Sequence, residues 1–173
     1  MSSTTAHLTR RFFGSLRPGG PSRADEEWAQ AQLLPSEVEL WHRMRGADRR
    51  HAVGVAHEVE RALGVEATRP VLAAALLHDV GKIESGLGVY GRVVATLCGL
   101  IVGRDSAKQW TRGRGFTRRV GLYLLHPDLG GDLLGMARSD PLTEAWARQH
   151  HRSPNSWTID PHVAAALKAA DDD

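Results

Sequence analysis

From Val71 to Leu77 every residue is apolar, and the run ends in His78 and Asp79, followed by Val80, Gly81 and Lys82. An apolar run with no polar alternation reads as a helix buried on all sides. The chain must therefore deliver an imidazole and a carboxylate, side by side, into a core. Burying both is costly unless each has a partner, and the usual partners are metal ions or opposite charges. Candidates stand far away in sequence at His51, His126, the pair His150 and His151, and Asp171. The reading is a metal site built inside a helical core.

The chain has 173 residues, enough for one domain with a substantial core. Residues 1–24 hold Arg10, Arg11, Arg17 and Arg23 with Ser, Thr, Gly and Pro, and no acid among the first 23. A disordered basic arm over 1–24 is expected, ahead of one helical domain over 25–173; the arm's composition also suits an organellar transit peptide. The formal charge of +2 is too small to argue for nucleic acid, so no stable nucleic-acid partner is expected. Cys98 is the single cysteine, which excludes an internal disulfide and a cysteine-based zinc site and points to a reducing, cytoplasmic setting. No membrane span is expected, since the apolar stretch from Val93 to Val102 is about half of what a bilayer needs. The oligomeric state leaves no trace in the sequence.

The pattern predicts an all-α fold. Helices are expected over 25–34, from Pro35 to about Arg45, and from Asp48 to Leu63, where Gly64 stops the third. Pro70 opens the apolar helix and Gly81 is expected to end it. Further helices are expected over 89–103 and 117–126, the latter placing Leu122 and His126 on one face, and from Pro127 to Ala137. Asp140 with Pro141 and Asp160 with Pro161 repeat a capping signal, opening helices over 141–151 and 161–171. The Gly- and Arg-rich stretch 103–115 is expected as a connection.

The order His51, His78-Asp79, Asp171 resembles the HD superfamily of metal-dependent phosphohydrolases over roughly residues 36–173. His126-Pro-Asp-Leu-Gly130 and the pair His150 and His151 are similar to its binuclear branch, best known from HD-GYP phosphodiesterases. The resemblance implies a single-domain HD-type bundle with two divalent metals. His51, His78, Asp79 and Asp171 would hold the first, and His126, His150 and His151 the second, with Asp79 bridging. Iron or manganese is the expected metal, with zinc, magnesium or nickel as alternatives. Asp79 and Lys82 would be catalytic, Lys82 facing substrate phosphate. The chain departs from that branch after the histidine pair, where Arg152 to Trp157 lack its Glu and its Gly-Tyr-Pro triplet. Ala47 likewise stands where trinuclear members carry a Glu.

Arg49, Arg50, Arg112 and Arg114 are candidate contacts for an anionic, nucleotide-like substrate, since arginine pairs bidentately with phosphate. The basic stretch 104–119 could equally be a solvated connection with affinity for RNA or an acidic membrane surface. Three functions compete: phosphate-ester hydrolysis, a mixed-valence di-iron oxygenase of the same fold, and a non-catalytic metal-binding regulatory module. Two adjacent histidine ligands at 150 and 151 would favour hydrolysis and one would favour the oxygenase. His57, six residues beyond His51, should face elsewhere.

Overall fold

The computed structural model describes residues 19–101 and 104–172, and all regular structure among them is helical, as expected. The helices are α1 (Arg23–Gln32), α2 (Pro35–Arg43), α3 (Gly46–Leu63), α4 (Arg69–Leu77), α5 (Val89–Ile101), α6 (Arg104–Thr111), α7 (Gly115–Leu124), α8 (His126–Met136), α9 (Pro141–Gln149) and α10 (Pro161–Asp172). Short 3-10 segments lie at Gly64–Glu66, Val80–Ser85 and Pro154–Ser156. Most of the expected basic arm, residues 1–18, lies outside the described residues. α1 begins before Asp25 because Ser22 caps it, its hydroxyl accepting from the Asp25 N–H at 3.1 Å.

α4 is the axis. All seven residues from Val71 to Leu77 are buried, and α4 packs on both α3 and α9, while α3 also receives α10. A nine-residue helix is too short to persist by itself. Each fully buried Val or Leu stabilises by about 1.5–3 kcal/mol, so Val71, Leu72, Leu76 and Leu77 hold α4 in place through packing. Trp41, Val59, Leu134, Trp146 and Leu167 complete the main core. A smaller cluster of Leu87, Ala95 and Val120, with Trp110, Tyr123 and Leu124, joins α5, α6 and α7. Among the described residues no helix is long and apolar enough to cross a membrane.

Asp140 and Asp160 cap as expected, their carboxylates accepting from the Leu142 N–H at 2.8 Å and the His162 N–H at 2.8 Å. Three expectations need correction. α4 ends at Leu77, before Gly81, because the backbone tightens at Asp79 into the 3-10 segment. His126 is not on α7, which ends at Leu124; it is the first residue of α8, directly before Pro127. The stretch expected as a connection holds α6, whose Ala107 is buried; Val102 and Gly103 lie outside the described residues.

Gly81 has another reason to be glycine. A Cβ placed there would stand 2.0 Å from the His126 carbonyl oxygen and 2.6 Å from the Gly130 nitrogen. Both are backbone atoms and neither can swing aside. This contact seats the start of α8 on the 3-10 segment and so brings His126 to Asp79. Gly54, on the exposed face of α3, meets nothing within 4 Å. Gly81→Ala should therefore destabilise by about 3 kcal/mol through overpacking, whereas Gly54→Ala should stabilise by about 0.5–1 kcal/mol through helix propensity. Thermal melts of the two variants should shift in opposite directions.

Candidate metal centre

Three histidines stand just beyond helix ends. His78 comes after Leu77 of α4, and His150 after Gln149 of α9; His126 follows Leu124 of α7 by two. The last carbonyls of a helix lack intrahelical partners. In each case the imidazole Nδ1 turns back to satisfy one: Ala75 O at 2.8 Å, Tyr123 O at 2.7 Å and Ala147 O at 2.9 Å. A carbonyl can only accept, so each Nδ1 carries a proton, and in the neutral ring Nε2 presents a lone pair.

Those lone pairs converge on Asp79. Its Oδ1 lies 3.2 Å from His126 Nε2 and 3.7 Å from His150 Nε2, while its Oδ2 lies 3.4 Å from His78 Nε2 and accepts from Lys82 Nζ. On the far side, Asp171 Oδ1 stands 3.1 Å from His51 Nε2 and 3.4 Å from His78 Nε2. Asp171 is buried on the face of α10 that carries Val163 and Leu167, while Asp172 turns outward to pair with Lys168 at 2.7 Å. Asp79, His126, His150 and His151 form one set of mutually close ligand atoms and His51, His78 and Asp79 another, so the two sets share Asp79. All seven residues singled out by sequence meet here. His151 is the solvent-exposed member, its ring 4.0 Å from that of His150.

Four of these atoms, His78 Nε2, His126 Nε2, His150 Nε2 and Asp79 Oδ1, are buried without a hydrogen bond. Acceptors facing acceptors repel unless a cation lies between them. Two atoms each about 2 Å from one ion stand about 3–3.5 Å apart, which matches most of the separations here. Neutral imidazoles mixed with carboxylates suit first-row divalent metals. The residues fit a metal ion.

Charge follows the same geometry. Burial would raise Asp79, but Lys82 and His78 hold its carboxyl well below the usual range. Burial would also raise Asp171, yet His78 and His51 hold it down. Desolvation depresses His126, keeping its imidazole neutral, and desolvation with the nearby His150 and His126 also lowers His151. His78 goes the other way: burial would lower it, but Asp79 and Asp171 raise it to about 10.

The candidate substrate residues fare differently. Lys82 is at the cluster. Arg49 instead bonds Glu26 at 2.9 Å and lies over the Trp41 ring, and Arg50 donates to Gly19 O at 2.7 Å. Arg112 and Arg114 are exposed between α6 and α7, and among the described residues neither bonds to the cluster. His57 faces away, stacked on Trp28 and 3.3 Å from Asp25. Sequence reasoning missed Arg92, which grips Asp48 through both terminal nitrogens at 2.5 and 2.8 Å, and Tyr123. Both Asp48 and Tyr123, after Asp79, help keep Lys82 protonated against the effect of burial. The one available signal was Asp48, three residues before His51 on the same helix.

A cleft bounded by Gln32, Glu37, Arg69, Arg138 and Asp140 lies apart from the cluster. Three of its charged groups are already used: Glu37 accepts from the Leu34 N–H, Arg69 donates to Leu33 O and Asp140 caps α9. Comparison with protein-family models, curated proteins and solved structures yields no match.

Without metal, His78 stays protonated at neutral pH as the counter-ion of the two carboxylates. A value raised to about 10 in the folded state, against about 6.5 unfolded, gives stability that is complete below pH 6.5 and lost as pH climbs toward 10. Urea midpoints of chelator-treated protein should fall steadily between pH 7 and 10. In Asp171→Asn, which removes one of the two carboxylates, that fall should end at lower pH and be smaller.

Proposed function

We propose that this chain is a metal-dependent phosphohydrolase or phosphodiesterase of the HD type, acting on a phosphate ester of a nucleotide or related metabolite. The observation that carries the reading is the shared carboxylate. Asp79 belongs to both ligand sets, with the imidazoles of His126 and His150 on one oxygen and Lys82 on the other. The presence of both His150 and His151 in the second set favours hydrolysis over the oxygenase reading, which needs one of them.

In this reading His51, His78, Asp79 and Asp171 hold one divalent ion and His126, His150 and His151 a second, with Asp79 common to both. When bound, such ions polarise phosphoryl oxygens and lower the pKa of a coordinated water toward neutrality. The chain's own residues do the rest. The carbonyls of Ala75, Tyr123 and Ala147 fix the tautomer and aim of three imidazoles, so the ligand set needs little rearrangement. Lys82, charged and half-buried beside Asp79, would balance negative charge developing on a phosphoryl group. His151 stands at the open edge, through which an anionic substrate would enter. The single Cys98 fits a reducing, cytoplasmic setting, with iron or manganese as the preferred ions.

Protein purified without oxygen should contain about two metal ions per chain by elemental mass spectrometry, and should hydrolyse bis(p-nitrophenyl) phosphate. Asp79→Ala should lose both metal and activity. Lys82→Met should keep its metal and lower kcat by about a hundred-fold or more, while His57→Ala should change neither. One metal or fewer, or oxygen uptake without ester hydrolysis, would sink the assignment.

A further inference from the structure

Between Val89 and Ile101, α5 carries a single charged residue, Arg92, and it points inward. Its two terminal nitrogens grip the Asp48 carboxylate at 2.5 and 2.8 Å, and its Nε donates to the Leu87 carbonyl at 3.2 Å. Little of either side chain meets solvent, 16% for Arg92 and 13% for Asp48. Packing gives no reason for this choice, since apolar side chains of similar volume hold two helices as well as an enclosed ion pair does. What a bidentate fork adds is direction, because it fixes both the distance and the plane of its partner.

Both ends of the fork lead to the cluster. Asp48 lies three residues before His51 on α3, which makes the two neighbours on the helix surface. Leu87 follows the 3-10 segment Val80–Ser85 that carries Lys82. The Leu87 N–H donates to Ser85 Oγ at 3.3 Å, and that hydroxyl donates to the Lys82 carbonyl at 2.8 Å. Hydrogen bonds thus run from Asp48 through Arg92, Leu87 and the buried Ser85 to the backbone of Lys82. Lysine has more need of this than most side chains. Its stem is long and flexible and its ammonium is a point charge, so the place of its head depends on where its backbone starts. A misplacement of about 1 Å near a reacting centre can cost about a hundred-fold in rate.

We propose that Asp48 and Arg92 are positioning residues for Lys82: the pair sets the Lys82 segment against the helix that carries His51, and so aims the ammonium at the shared carboxylate of Asp79. The work given to Lys82 rests on the hydrolase reading above; its placement by Arg92 does not. Another arginine on the same segment makes a useful contrast. Arg43 pairs with Glu84 at 3.0 Å, but in the open, with 53% and 38% of the two side chains exposed.

The chain has three lysines, Lys82, Lys108 and Lys168, so one ammonium can be followed by itself. In nitrogen NMR of the lysine-labelled, zinc-loaded full chain, Lys82 Nζ should give a signal protected from exchange with water and missing from Lys82→Met. Asp48→Asn, which keeps the side-chain shape, and Arg92→Gln should each broaden or erase that signal while circular dichroism stays that of the parent. Arg43→Gln should leave it intact. Toward bis(p-nitrophenyl) phosphate, Asp48→Asn and Arg92→Gln should each lower kcat about ten-fold, with KM and metal content unchanged. In a Lys82→Met background the same changes should cost nothing further, as expected of residues that act through one another. A Lys82 signal absent from the parent, or unchanged in both variants, overturns the proposal. So does a loss of kcat that persists in full without Lys82, which would give Arg92 a role of its own. A parent that hydrolyses no ester sinks the hydrolase reading, and the NMR measurement still decides the placement.

Discussion

Asp79 keeps a carboxylate almost out of reach of water, with Lys82 on one oxygen and the lone pairs of two imidazoles facing the other. An uncompensated charge in that position costs several kcal/mol even after relaxation. The surrounding architecture meets that cost with groups drawn from across the chain: a lysine one 3-10 turn ahead, a histidine directly before it, and others at 126 and 150. Remove the charge and the reason for these elements to converge is gone. The apolar packing of α4 explains why the core is stable; Asp79 explains why it is polar at one end.

Helix direction does part of the same work. α4, α7 and α9 end at the cluster, and Asp171 lies in the last turn of α10. Four carbonyl ends therefore face one volume. Each helix carries partial negative charge at that end, an effect that favours cations within about one turn. The histidines that cap three of these ends belong to both systems: Nδ1 satisfies the helix while Nε2 serves the centre. Tautomer, side-chain aim and helix termination are set by one hydrogen bond per residue.

The all-α fold and the convergence of the seven residues were legible because both rest on strong local signals. The apolar run at 71–77 can be satisfied only by burial, and the spacing of Val163, Leu167 and Asp171 turns that carboxylate inward. Boundaries were less legible. Gly81 looked like a helix stop, but its glycine character answers to the carbonyl of His126, 45 positions away in sequence, which no local window contains. Arg49 and Arg50 were assigned to substrate by nearness to His51; on a helix, adjacent residues point in different directions, and Glu26 and Gly19 take them. α6 was hidden by the glycines around it and is revealed by what Ala107 buries. Arg92 escaped notice because an arginine in an apolar helix reads as surface until its partner Asp48 is known.

His51 and Asp171 meet across 120 residues of chain, and neither His78 nor Asp79 has its full set of neighbours until they do. Closing a loop of that size carries an entropy cost that the local helix pairs do not. The cluster is complete only once the chain has closed. Any cation that recognises the finished cluster acts as a latch on the closed structure. It stabilises the folded protein by binding the closed chain and not the open one.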